Sequence, residues 1–96
     1  MRILKTTIKR KWYDLISEGI KKEEYREIKP YWTKRLEGRK YDSILFRNGY
    51  NSSSPTVLCE YLGYTKGVGN PDWGAPEEEV YIIKLGKVLE INGRKV

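Results

Sequence analysis

The apolar positions at the start of the chain change from a mixed run to a helical period. Residues 3–8 combine Ile, Leu and Thr, a composition that favours an opening strand. Tyr13 and Ile16 then recur at helical spacing, which predicts a helix over residues 9–18. Gly19 follows, and glycine readily adopts the left-handed conformation that ends many helices. We therefore expect a strand, a helix and then a sharp change of direction.

Beyond this glycine the side chains alternate in character with a period of two. That alternation predicts a polar strand over residues 22–28, because successive side chains of a strand point to opposite faces. Pro30 is expected to end the strand and to open a short second helix that reaches Leu36, since proline suits the first turn of a helix.

Strand-like runs separated by turn residues fill the second half. Asn48-Gly49 is a strong turn dipeptide, and the Gly- and Pro-rich residues 65–76 predict a long loop. The run over residues 56–64 is partly apolar on both faces, as expected of a strand nearly enclosed in a small barrel. The chain therefore predicts the α+β class, a small mixed β-barrel with one main N-terminal helix and a second short helix. The predicted strands of this half are residues 43–47, 56–64, 80–85 and 87–91.

Length and charge narrow the class of protein. The chain has 96 residues, 39% of them hydrophobic and 33% charged, which predicts one globular domain over residues 1–96. The net charge is +6, and its distribution is uneven. Residues 1–40 hold thirteen Lys and Arg against six Asp and Glu, whereas residues 41–96 hold six against seven. Clustered positive charge attracts phosphates, so RNA or a nucleotide is a candidate partner, and a solvated basic surface is the alternative.

Cysteine and histidine usage argues against several other classes. Cys59 is the only cysteine and the chain has no histidine, so we expect neither an internal disulfide nor a metal site, and no motif indicates a cofactor. No apolar run approaches the length that spans a bilayer. These features predict a cytoplasmic protein without a membrane partner.

The motif Gly19-x-Lys21-x-x-Glu24-x-Arg26 carries most of the functional argument. On a strand Glu24 and Arg26 share a face, where the carboxylate can orient the guanidinium and leave other donors for a phosphate or a base edge. Lys21 joins that face only if the chain bends just after Gly19; in a regular strand Lys22 would take its place. A solvated strand or a charged surface helix is the alternative.

Further ligand-binding candidates lie outside the motif. Lys9 opens the first helix and could extend a basic cleft. Arg47, Asn48 and Tyr50 end a strand and begin a polar loop, a common position for ligand contacts, although a plain hairpin connection fits them as well. Trp73, in the long loop, could stack on a base or anchor the loop. The tryptophans at positions 12 and 32 are interpreted as packing residues.

With these residues in order, the chain resembles the ASCH domain family of the PUA-like β-barrel superfamily. The resemblance rests on the opening strand, the helix with Tyr13 and Ile16, the motif at residues 19–26 and the late strand around Tyr81-Ile82-Ile83, and it covers nearly the whole chain. It implies a PUA-like barrel with a cleft beside the helix, lined by Lys21, Glu24 and Arg26. It also implies binding of RNA or nucleotides.

The same resemblance opens an enzymatic alternative. Some ASCH proteins cleave RNA, and small bacterial members hydrolyse N4-acylated cytidine with a threonine as the proposed nucleophile. This chain has Glu24 at that position, which removes the covalent route. Glu24 could instead activate water as a general base, with Lys21 stabilising an oxyanion. We expect a binding module, and leave the alternatives of a modified-nucleoside hydrolase and a ribonuclease open.

Overall fold

One mixed sheet organises the chain in the computed structural model, which describes residues 2–96. The elements are β1 (Ile3–Thr7), α1 (Arg10–Ser17), β2 (Glu23–Arg26), α2 (Pro30–Leu36), β3 (Ser43–Arg47), β4 (Thr56–Gly67), a 3₁₀ turn (Pro71–Trp73), β5 (Val80–Ile91) and β6 (Arg94–Lys95). The strands follow the order β1-β3-β4-β5-β2, with β6 paired to β5. The β1–β3 pair is parallel and every other pair is antiparallel.

The α+β class is confirmed, and the closed barrel is not. Strands β1 and β2 lie at opposite ends of the strand order, and no backbone ladder joins them within residues 2–96. A barrel is closed only when its first and last strands pair. The sheet therefore has a seam between β1 and β2, and this seam becomes important for the site.

Helix α1 ends as its sequence predicts. Its apolar side buries Tyr13 and Ile16, and Gly19 has a φ of +76°, the left-handed region that favours glycine. The amides of Ile20 and Lys21 both bond back to the Leu15 carbonyl, at 2.9 and 3.1 Å. The chain thus folds tightly around the helix end before β2 begins.

Two predicted boundaries in the second half were wrong. Strand β4 continues through Gly67, so residues 65–67 belong to the sheet and not to the long loop. The strands predicted at 80–85 and 87–91 are the single strand β5. Gly86 does not interrupt β5. The absence of a side chain at this position makes room for Glu60 of β4, since a Cβ there would be 2.6 Å from Glu60 Oε1. Register shifts between β4 and β5 absorb the irregularity.

The core lies between α1 and the inner face of the sheet. The hydroxyl of Tyr13 donates to the Thr56 carbonyl at 2.9 Å and ties the helix to the start of β4. Two charged side chains, Lys21 and Glu24, are also buried at the margin of this core. The buried apolar residues include Leu4, Ile16, Leu36, Ile44, Phe46, Val57, Cys59, Tyr81, Ile83 and Leu85.

Candidate functional site

An open cleft of about 760 Å³ lies over the seam between β1 and β2. Four segments line it: the end of β1 with the first residues after it (7–9), Trp12 of α1, strand β2 with the residue after it (24–27), and the β3–β4 turn (48–50). Polar and aromatic side chains therefore converge where the sheet remains open.

A buried carboxylate between two cations forms the floor of the cleft. Glu24 Oε1 lies 2.9 Å from Lys21 Nζ, and Glu24 Oε2 lies 2.7 Å from Arg26 Nη2. The exposed fraction of the side chain is 0% for Lys21, 9% for Glu24 and 20% for Arg26. Each carboxylate oxygen thus has its own charged donor, and the three side chains together keep one net positive charge.

Lys21 reaches this cluster because it precedes the regular strand. Strand β2 begins only at Glu23, so the turn after Gly19 and not strand alternation sets the direction of Lys21. Its neighbour Lys22 is exposed. The bend on which the participation of Lys21 depended is present, and Glu24 and Arg26 share one face as their spacing predicted.

Aromatic rings enclose the Lys21 ammonium. Nζ lies 4.7 Å from the Tyr25 ring centroid and 5.4 Å from that of Trp12, and it also donates to the Glu23 carbonyl. Burial lowers the pKa of Lys21 from its ordinary value, and the adjacent Glu24 carboxylate partly offsets that effect. With its side chain fully enclosed, Lys21 supports Glu24 from behind and does not line the cleft.

Arg26 is held in place from several directions and still has unused donors. Its Nη2 donates to Glu24 and, at 3.0 Å, to the carbonyl of Thr7 across the seam. Its guanidinium carbon lies 5.0 Å from the Trp32 ring centroid. Within residues 2–96 both of its hydrogen bonds use Nη2; Nε is buried without a partner, and Nη1 makes no hydrogen bond. The guanidinium is therefore positioned by the protein, and Nη1 is the nitrogen whose donors remain for a ligand.

Tyr25 joins β2 to the loop between β4 and β5. Its hydroxyl accepts from the amide of Asn70 at 3.0 Å and donates to Glu23 Oε1 at 2.7 Å, while Lys84 Nζ lies 2.8 Å from the other Glu23 oxygen. Burial, followed by the bond to Glu23, raises the pKa of Tyr25 to about 12. The phenol thus stays protonated and holds the loop against the strand.

Glycines bring the same loop close to two rings of the site. A Cβ at Gly69 would fall 2.7 Å from Tyr25 Cδ1, and one at Gly74 would fall 2.7 Å from Trp12 Cζ2. Contacts this short are not tolerated, so only glycine lets the backbone pass. These glycines serve close packing on Tyr25 and Trp12, the two rings that flank Lys21.

The structure brings together five of the eight predicted site residues: Lys9, Glu24, Arg26, Asn48 and Tyr50 all line the cleft. Lys9 is exposed at its rim, and Tyr50 is 93% exposed. Asn48 Nδ2 donates to the Ile8 carbonyl at 2.9 Å, which fixes the turn beside the end of β1.

The other three predicted residues lie outside the cleft lining. Lys21 is behind the floor, Arg47 lines a neighbouring depression, and Trp73 lies in the 3₁₀ turn of the long loop. Trp12 packs against the core, as its sequence pattern predicted, and it also lines the cleft. The second role has no sequence signal, since Trp12 lies four residues before Ile16 on the apolar face of α1.

Within residues 2–96 no group of three or more metal-binding side chains occurs. In the same part of the chain, no helix has the length and apolar character needed to cross a bilayer. No protein-family model, no curated protein and no solved structure matches the chain.

Proposed function

We propose that this protein is an ASCH-like module that binds RNA or a nucleotide in the cleft at the seam. The observation that carries the proposal is the Arg26 guanidinium, which Glu24 and Thr7 fix at the floor while part of its donor set is unused. Preorganised guanidinium groups suit phosphates and base edges, because their geometry permits paired hydrogen bonds.

The charge of the floor favours an anionic ligand. A simple pair of Glu24 and Arg26 would be neutral, but the buried ammonium of Lys21 leaves one positive charge in the cluster. Lys9 adds a second at the rim. Glu27, the other carboxylate of the lining, lies 2.7 Å from the Lys29 ammonium. Phosphate is the anion that nucleic acids supply, and cationic grooves track it.

Aromatic walls favour a nucleobase beside that phosphate. Trp12 and Tyr50 line the cleft together with Arg26, and a base can stack on either ring. An inorganic anion would contact the cations and would make no contact with these rings. A nucleotide could contact the cations through its phosphate and stack its base on a ring.

We also propose that the sheet is a PUA-like barrel open at one seam. What supports this is the strand order, in which β1 and β2 are the two ends, and the hydrogen bond from Arg26 to the Thr7 carbonyl that spans the gap between them. A cleft at an incompletely closed margin of a small barrel is a common location for a ligand.

The proposal does not extend to hydrolysis or RNA cleavage. Both oxygens of Glu24 accept from cations and the side chain is only 9% exposed, so a water has little room to approach the carboxylate and give up a proton to it. Lys21 has no exposed side-chain surface with which to meet an oxyanion. We therefore expect purified protein to leave N4-acetylcytidine and single-stranded RNA intact, as chromatography of each reaction would show. If the protein does turn over either substrate, and if this activity is lost in both Lys21→Ala and Glu24→Gln, then the function is enzymatic and the binding proposal is wrong.

Binding is tested by titrating a labelled mononucleotide and a labelled uridine hexamer with Arg26 variants. Arg26→Ala removes hydrogen bonds to a charged group, for which we expect a loss in affinity of roughly 10-fold or more. Arg26→Lys keeps the positive charge but lacks the planar set of guanidinium donors, so we expect it to retain only part of the wild-type affinity. Arg94→Ala, in exposed β6, is the matched control and should change affinity less than about 2-fold.

The salt dependence of the same titrations checks the phosphate contact. Affinity should fall as salt rises, because bound phosphates release counterions. Salt-independent binding, or equal affinities for Arg26→Ala and Arg94→Ala, would refute a phosphate-led site at Arg26.

A further inference from the structure

We infer that the partner is a single-stranded polynucleotide, and that its chain continues from the cleft across two further depressions. The inference rests on the proposed function of the cleft, and goes beyond it by excluding a free nucleotide as the complete ligand. It follows from how neighbouring depressions share residues, where unpaired cations lie and which rings are exposed.

The second depression adjoins the cleft and has a volume of about 360 Å³. Thr7 and Tyr50 line both, so the two depressions are adjacent. Lys5 and Arg47 contribute cations here, from neighbouring strands β1 and β3. A chain leaving the cleft past Tyr50 therefore enters a second basic surface.

The third depression, of about 440 Å³, continues from the second through a shared residue, Tyr31. Its cations come from α2 and the segment after it: Lys34, Arg35 and Arg39. We call the second and third depressions together the basic groove, lined by Lys5, Tyr31, Lys34, Arg35, Arg39, Tyr41, Arg47 and Tyr50 among others.

The positive charge of the basic groove is uncompensated. Within residues 2–96 no Asp or Glu lines it, and none of its five Lys and Arg residues forms an ion pair. Arg39 and Arg47 instead donate to backbone carbonyls, and the Arg35 guanidinium carbon lies 4.6 Å from the Tyr31 ring centroid. Cations held in place without a counter-charge favour a ligand with repeated negative charge.

Two exposed rings lie along this path. Tyr50 is 93% exposed and Tyr31 is 61% exposed, so neither contributes much to the core. Tyr50 lies at the junction of the cleft and the groove, and Tyr31 at the junction of the two groove depressions. Rings alternating with cations are the arrangement on which successive unpaired bases stack. A duplex would keep its bases in its own stack, so the ligand is single-stranded.

The test is a length series of labelled oligouridines, from the mononucleotide to nine residues, with oligodeoxyuridine as the DNA counterpart. We expect affinity to rise from one nucleotide to about four to six, in keeping with the smaller single-strand site sizes. Tyr31→Ala should weaken hexamer binding roughly 5-fold or more by loss of one stacked base. Tyr31→Phe keeps the ring and should bind like the wild type.

Two controls separate the groove from the cleft. Lys34→Ala should weaken the hexamer and flatten its salt dependence, whereas Lys87→Ala, an exposed lysine outside the groove, should not. Because Tyr31 does not line the cleft, Tyr31→Ala should leave mononucleotide affinity unchanged. Circular dichroism with thermal melting confirms that each variant is folded.

Each outcome decides one proposal or the other. A mononucleotide that binds as tightly as the hexamer would overturn the groove and leave the cleft standing. Hexamer binding that responds to Tyr31→Ala and not to Arg26→Ala would support the groove and overturn the cleft. Binding of heparin as tight as that of the hexamer, with no effect of Tyr31→Ala, would reduce the groove to a general polyanion surface. Absence of binding to every oligonucleotide would overturn both. Preference for uridine over deoxyuridine oligomers identifies RNA, and the reverse identifies DNA.

Discussion

Glu24 determines the chemistry of the site through its burial. A carboxylate withdrawn from water requires cations and hydrogen bonds, and here Lys21 and Arg26 each satisfy one of its oxygens. Lys21 is itself buried, and within residues 2–96 the partners of its ammonium are Glu24, the Glu23 carbonyl and two rings. The consequence is a cluster whose three members depend on one another for stability.

Loss of the Lys21 charge should therefore be costly. Lys21→Met keeps most of the volume and removes one of the two cations of a buried carboxylate, so we expect about 3 kcal/mol of lost unfolding free energy. Lys22→Met, at the exposed neighbouring position, is the matched control and should stay within about 0.5 kcal/mol of the wild type. Urea denaturation measures both. A loss below about 1 kcal/mol in Lys21→Met would mean that the carboxylate does not depend on this partner.

At the scale of elements, the loop between β4 and β5 is attached to the site through β2. The Tyr25 hydroxyl accepts from Asn70, and Gly69 passes directly over the Tyr25 ring. Because Tyr25 also contacts the Lys21 ammonium, the loop and the buried charge cluster share one side chain.

Gly69→Ala tests this attachment. The added methyl would overlap the Tyr25 ring, so we expect faster hydrogen exchange of the Asn70 amide and about 1–3 kcal/mol of destabilisation. Gly67→Ala is the control, since a Cβ there would be 3.6 Å from Ile82 Cδ1, an ordinary contact. Equal exchange of the Asn70 amide in the two variants would show that the close approach at Gly69 has no structural role.

Local rules predicted the elements whose ends carry clear chemical signals. Strand β3 ends at Arg47 as predicted, because the Asn48-Gly49 turn follows it. The end of β4 was missed, since Gly67 has loop composition but pairs with Val80 of β5, where residues 81–83 of β5 also pair with β2. Strand parity correctly paired Glu24 with Arg26. Lys21 lies in the turn between α1 and β2, where neither the helical nor the strand period applies. Its burial could therefore not be predicted from the sequence pattern.

At the scale of the whole molecule, several acids remain protonated because the fold buries them. Burial raises the pKa of Cys59 to about 11 and that of Tyr61 to about 12. At a pH between the unfolded and the folded pKa, such a group is still protonated in the folded protein but ionised in the unfolded chain. The stabilising contribution is therefore complete below the unfolded pKa and declines as pH rises through about 9 to 12.

Tyr61→Phe isolates one of these contributions. The Tyr61 hydroxyl is buried without a hydrogen-bond partner in the described part of the chain, so its removal should leave stability at neutral pH unchanged or slightly higher. The variant should also lose less stability than the wild type above pH 10, since no phenol ionises there on unfolding. Thermal melts across this range measure the difference. Parallel pH profiles, or a marked loss at neutral pH, would contradict the assignment.

The seam has one further consequence, which concerns self-association. Strands β1 and β2 are the free edges of the sheet, and free edges invite pairing with another copy of the same chain. Here the Arg26 side chain occupies the Thr7 carbonyl, while exposed Lys5 places a charge on the β1 edge. The residues that would attract a polyanion thus also shield the sheet from aggregation. Substituting Arg26 or Lys5 should therefore make this edge more prone to pairing with another copy of the chain.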